Sequence, residues 1–159
     1  IPGFDDEFMR KGIQLVVDGA DPELVRLILE TEIYTDQERQ SAGASIFEAA
    51  GGFAPTMGII GTVMGLVHVL GNLSNPEELG PAIALAFLAT FYGISSANIV
   101  WLPIAEKLKN IGRKEVFLRE LMLEGITSIQ AGYNPILIRE RLTAYLKARN
   151  TTEAAAGAE

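Results

Sequence analysis

Gly51-Gly52-Phe53-Ala54-Pro55-Thr56-Met57-Gly58-Ile59-Ile60-Gly61-Thr62-Val63-Met64-Gly65-Leu66 is uncharged, apolar and rich in small residues. It lies inside residues 49–76, which hold no Asp, Glu, Lys or Arg; after Glu77 and Glu78, residues 79–105 hold none either. These runs are 28 and 27 residues long, and roughly 20 mostly apolar residues cross a bilayer core. Two such runs in a chain of 159 residues exclude an ordinary soluble enzyme. The fold class this predicts is all-α: a polytopic membrane protein, with an antiparallel transmembrane helix hairpin whose long helices extend into a helical cytoplasmic domain.

Charge gives the hairpin its orientation. Residues 1–48 carry eleven acids and four bases, whereas residues 106–149 carry five acids and nine bases. Lys107, Lys109, Arg113, Lys114 and Arg119 directly follow the second apolar run. Basic residues beside a span stay on the cytoplasmic side, and acids count for little in that rule. The expected order is a cytoplasmic helical segment (1–48), a transmembrane helix (49–72), an extracytoplasmic turn (73–80), a second transmembrane helix (81–105), a cytoplasmic helical tail (106–149) and a disordered end (150–159). Asp21-Pro22-Glu23 supplies an N-cap, a first-turn proline and an early acid, opening a helix with Leu24, Leu27 and Ile28 on one face. Thr35-Asp36-Gln37-Glu38 reads as a capping box that starts a helix running unbroken into the first span. Ile111, Leu118, Leu121, Met122, Ile126 and Ile129 keep a helical period beyond the second span. Gly132 marks its stop, and Asn134-Pro135 caps a last helix to about Arg149. Ile1-Pro2-Gly3-Phe4-Asp5 lacks the basic and apolar regions of a signal peptide, so the natural N-terminus is expected to lie upstream.

Several chemistries drop out. There is no Cys and one His, which removes disulfide frameworks, thiolate centres and multi-His metal sites. A net charge of -7 and a pI near 4.8 argue against nucleic acid as a partner. No nucleophile with a base, acid/base pair or phosphate loop is present, so neither enzymatic activity nor a resident cofactor is expected.

The spans carry candidate sites. Ala54, Gly58, Gly61, Thr62 and Gly65 in the first, with Ala82, Ala86, Ala89, Gly93 and Ala97 in the second, form small-residue faces that admit close helix packing. Counted from the outer turn, Thr62 and Thr90 both lie about 14–15 Å down, near the midplane. Threonine hydroxyls in lipid often bond back to their own helix. The other reading is that the pair faces an ion pathway and offers oxygens to a transient Na⁺. The spans hold no carboxylate, so that charge must come from another chain. Pro55 and Pro103 each remove a backbone donor and free a carbonyl one turn earlier. His68 lies near the outer end and reads as an interfacial or packed histidine; Trp101 fits an aromatic belt at the inner end.

Residues 51–70, the run from Gly80 to Gly93, Leu102-Pro103-Ile104-Ala105-Glu106-Lys107-Leu108, and the tail around Leu121–Ile126 and Ile129–Pro135 resemble the flagellar stator proteins of the MotA type, within the MotA/TolQ/ExbB superfamily. Phe8-Met9-Arg10-Lys11-Gly12-Ile13 is similar to the end of that family's cytoplasmic loop. The resemblance implies a subunit of the bacterial inner membrane that conducts H⁺ or Na⁺ and couples it to rotation. It also implies a MotB-type single-span partner supplying an aspartate, a homo-oligomer of five chains around two partner helices, surrounding lipid, and action on the flagellar rotor protein FliG. Pro55 and Pro103 match the family's functional prolines; Thr62 and Thr90 match the pore threonines of sodium-driven relatives, although Gly65–Leu70 looks more like proton-driven members. The family's rotor-contacting charges are expected upstream of Ile1. The alternative is an ExbB/TolQ-like proton channel that energises the outer membrane.

Overall fold

The computed structural model describes residues 6–71 and 76–156, and the described residues hold five α-helices and one π-turn. The helices are α1 (Glu7–Val17), α2 (Pro22–Gly71), α3 (Pro76–Ser96), α4 (Leu102–Gln130) and α5 (Pro135–Ala156); a π-helical turn (Ala97–Trp101) joins α3 to α4 without a break. By internal contacts the chain divides into two units, Arg39–Gly112, and Ile1–Glu38 with Arg113–Glu159.

Chain ends and turns follow local chemistry. The Asp6 carboxylate accepts from Met9 N–H at 3.0 Å and caps α1. Asp21 accepts from Glu23 N–H at 3.0 Å and caps α2, as its Asp-Pro-Glu signature predicts. Asn134 does the same for α5, accepting from Ile136 N–H at 2.9 Å. Gly19 and Gly132 hold φ of 75° and 73°, a left-handed conformation that glycine takes without Cβ strain.

In the unit built from residues 6–38 and 113–156, Phe8, Val25, Leu29, Ile33, Leu123 and Ile126 form the core. Burial lets polar groups tie its periphery. Arg119 pairs with Asp36, lies 3.1 Å from Glu115, and stacks 5.5 Å over the Phe8 ring. Lys11 pairs with Glu32, and Gln130 Nε2 donates to Ala20 O at 2.8 Å. The Tyr145 phenol is pushed above its ordinary range, first by burial and then by the Glu120 carboxylate. The hydrogen bond that Arg26 Nε donates to Glu30 at 2.7 Å holds the Arg26 guanidinium pKa above its ordinary value. Gly12 marks the closest approach: a Cβ there would overlap Ile126 Cδ1 and lie 3.2 Å from Leu29 Cδ1. Gly12→Val is therefore expected to destabilise this unit by roughly 1–3 kcal/mol, the usual cost of overpacking, read as a lowered unfolding temperature of the detergent-solubilised full-length protein.

Four expectations change. Thr35 is not a cap: α2 passes through it, and its hydroxyl donates to Thr31 O at 2.8 Å. The helix already formed from Asp21 leaves no orphan N–H groups at 36–38 to cap. The buried face of α2 is Val25, Leu29 and Ile33, whereas Leu24 and Leu27 are 49% and 60% exposed. Apolar residues on several sides of this stretch left the inward face undetermined by period alone. The helix that carries the second apolar run begins earlier than residue 81, because α3 starts at Pro76, with Glu77 and Glu78 in its first turn. A proline fits a first helical position, and acids suit a helix N-terminus. The rest of the expected turn, 72–75, lies outside the described residues. Finally, α5 continues to Ala156 where disorder was expected from residue 150; Ala154-Ala155-Ala156 is the strongest helix-forming composition available.

Candidate functional site

The unit Arg39–Gly112 is an antiparallel helix pair with almost no interior of its own. Phe53, Met57, Val63, Met64, Leu85, Phe87 and Phe91 are all more than half exposed. Two helices are long and apolar enough to cross a membrane, and in lipid such a surface incurs no hydrophobic penalty.

What the pair buries is its small-residue seam. A Cβ on Gly58 would lie 2.9 Å from Ala89 O and 3.1 Å from Thr90 Cα; one on Gly93 would lie 2.7 Å from Ala54 O and 2.9 Å from Gly58 Cα. At this level the contact is backbone against backbone. Gly61 faces Ala89 Cβ at 2.9 Å and Gly65 faces Ala86 Cβ at 2.6 Å, measured from the same hypothetical Cβ. The seam thus unites Gly58, Gly61, Gly65 and Gly93 with Ala86 and Ala89. Gly51, not singled out from sequence, joins it by seating Leu102 Cδ2, 2.6 Å from such a Cβ.

That close approach brings Thr62 and Thr90 into direct hydroxyl–hydroxyl contact. The Thr62 hydroxyl also reaches Ala86 O at 2.9 Å and Gly58 O at 3.2 Å, and the Thr90 hydroxyl reaches Gly58 O at 3.3 Å. Each hydroxyl has one proton to donate. Two protons therefore serve four contacts among four oxygens, and two of these contacts lack a proton at any instant. Both carbonyls also accept their own helix's backbone N–H, so the layer gathers four oxygens at one level with lone pairs to spare, which suits water or a hard cation. The back-bond is seen at Thr62, whose hydroxyl reaches Gly58 O of its own helix, while the Thr90 hydroxyl reaches the same carbonyl across the pair. Gly58 O is the back-bonding acceptor expected for Thr62; the reach of Thr62 across the pair to Ala86 O was not anticipated.

The remaining candidates stand around this layer. His68 and Tyr92 line a groove of about 380 Å³ with Gly61, Gly65, Ala86 and Ala89. Pro55 sits within α2, one turn beyond Gly51. Pro103 follows the π-turn, in which Leu102 N–H donates to Ala97 O. Ser96 donates to Gly93 O at 3.0 Å, and Asn98 Nδ2 to Ile94 O at 2.9 Å. The Trp101 ring lies 6.4 Å from that of Phe47. Among the described residues no group of three His, Cys, Asp or Glu could hold a metal.

A family model described as the MotA/TolQ/ExbB proton channel family matches residues 2–121. The chain belongs to that family. This is a family of channels and stator proteins rather than of enzymes. Among its MotA/TolQ/ExbB relatives, Motility protein A of Bacillus subtilis is 42% identical over 150 residues, 94% of this chain and 56% of the relative. Chemotaxis protein PomA of Vibrio alginolyticus is 44% identical over 142 residues, 89% of this chain and 56% of the relative. The flagellar MotAB stator complex from Bacillus subtilis contains a chain that matches with a TM-score of 0.84 and 41% identity, over 96% of this chain and 60% of that one. The chain thus spans about half the length of the curated relatives it matches.

Proposed function

We propose that this protein is an ion-conducting stator subunit of the bacterial flagellar motor. The observation that carries the reading is the likeness to a chain of a MotAB stator complex over nearly the whole of this chain. The same likeness supports a MotB-type partner and an oligomer of this chain; five copies, an inner-membrane location and action on the rotor protein FliG are proposed with it. Relatives named for motility and chemotaxis favour this over the ExbB/TolQ-like alternative.

Thr62 and Thr90 are proposed as the pathway residues. Their hydroxyls and the carbonyls of Gly58 and Ala86 supply up to four neutral oxygens, while the balancing charge comes from a carboxylate on the partner. A dehydrated Na⁺ needs several such oxygens, whereas a proton needs only the carboxylate, so Na⁺ is the proposed coupling ion. Pro55 and Pro103 contribute carbonyls freed of their helical donors, which in lipid require water or a partner group. The test is swimming speed against Na⁺ at fixed pH, in a strain whose motility depends on the full-length protein. A saturating rise with Na⁺ is expected. Full speed without Na⁺, abolished by a protonophore, would establish protons as the fuel and leave the threonines with a packing role.

A further inference from the structure

Along α2, small residues recur at a strict interval of seven: Ala44, Gly51, Gly58 and Gly65. Ala44 is buried, and the three glycines seat Leu102, Gly93 and Ala86 respectively. The facing chain keeps the same interval on either side of the π-turn, from Ala86 to Gly93 and from Ala105 to Gly112. Between the two halves it does not. Gly93 and Ala105 are twelve residues apart, where an α-helix returns to the same face after eleven. The surplus residue falls in Ala97–Trp101, and a π-turn is the helical form that absorbs one. It is why Gly93 and Ala97 on one side, and Ala105 and Gly112 on the other, all face α2.

A chain one residue shorter would keep every one of these seats on an unbroken α-helix. In either form one carbonyl at this level lacks a backbone donor, because Pro103 has no N–H; the extra residue decides which. Leu102 N–H goes to Ala97 O, so the α-spaced donor of Asn98 O is taken, and the π-spaced position is Pro103, which has no N–H. The seats on the two sides also differ in kind. On the α3 side they are atoms that no rotamer change can move, with Ala89 O, Thr90 Cα and Gly93 Cα all within 3.2 Å of a Cβ on Gly58, and the Ala89 and Ala86 methyls against Gly61 and Gly65. On the α4 side they are side chains: Leu102 Cδ2 on Gly51, Gln40 Oε1 against Gly112, the Phe47 and Trp101 rings, and the Lys109–Glu48 ion pair. Side chains can change rotamer and re-seat; packed backbones cannot.

We propose that the π-turn is a working joint, a stored residue that lets α4 turn and advance against α2 by up to one residue, about 100° and 1.5 Å, while α3 stays fixed on its glycines. The proposal rests on the stator reading, in which an event at the Thr62–Thr90 layer has to be passed along the chain beyond Pro103.

The test deletes Ile99, whose side chain is 73% exposed, in the full-length protein expressed with its partner. The deletion restores the seven-residue interval from Ala97 to Ala105 and removes the joint. The expected result is a membrane level close to that of the unmodified protein, with swimming speed reduced at least tenfold. Ile99→Ala, which keeps the chain length, should retain more than half the speed. Normal swimming by the deletion variant overturns the proposal. So does its loss from the membrane, which would make the turn a requirement of folding, and so does an equal loss of speed in Ile99→Ala. Failure of the unmodified protein to restore motility to a strain lacking its own stator subunit strikes the stator reading instead.

Discussion

Gly58→Val is expected to abolish the motility that the full-length protein supports and to lower the unfolding temperature of the solubilised protein. The first branched atom would enter a space bounded by Ala89 O at 2.9 Å and Thr90 Cα at 3.1 Å. Both are main-chain atoms of a packed helix, so nothing rotates aside and α3 must move away bodily. Overpacking of this kind costs roughly 1–3 kcal/mol, and main-chain neighbours put Gly58 at the upper end. The functional loss is larger than the stability loss, because Gly58 O is the acceptor shared by Thr62 and Thr90. Displacing α3 parts the hydroxyls as well as the seam. Gly58→Ala should show a smaller drop of the same kind. Gly52→Ala is the control, since a Cβ there meets nothing within 4 Å; its unfolding temperature should hold or rise, as alanine favours the helix. An unchanged unfolding temperature in Gly58→Val would remove backbone contact as the basis of the seam.

Thr90→Val keeps the side chain's shape and removes its oxygen. It should raise the Na⁺ concentration for half-maximal swimming about tenfold, as expected from the roughly 1–3 kcal/mol of one contact to a charged group. Thr90→Ser, which keeps the hydroxyl, should stay close to the unmodified protein. Thr62→Val should exceed Thr90→Val, because the Thr62 hydroxyl reaches both Ala86 O and Gly58 O while that of Thr90 reaches only Gly58 O. Equal Na⁺ dependence in all three variants would leave the hydroxyls without a part in ion passage.

Much of this arrangement is legible in the residues alone. Two charge-free runs give the hairpin, and the alternation of glycine and alanine at helical spacing gives the seam. Equal distance from the turn brings Thr62 and Thr90 to one level. Asp21, Asn134 and Gly132 mark helix ends because their chemistry acts within one turn. What the sequence left open depends on the rest of the fold. Thr35 has the residues of a cap, but capping requires free N–H groups and an upstream helix had already filled them. Leu24 and Val25 are equally apolar, and only the position of α1, with Gly12 against Ile126 and Leu29, decides which one turns inward. The π-turn was the deepest omission. Pro103 announced a missing donor, but the compensating extra residue shows only when the interval along α2 is compared with the interval facing it.

The shortage of protons in the threonine layer has a consequence for timing. Two hydrogens among four oxygens can be arranged in several nearly equivalent ways, and passing between them requires only rotation of the Thr62 and Thr90 hydroxyls about their C–O bonds. Side-chain rotations of this size take picoseconds to nanoseconds, whereas helices shift in microseconds to milliseconds. The layer can therefore rearrange its hydroxyl hydrogens thousands of times within one helix movement, a fast dipolar element set into a slow frame.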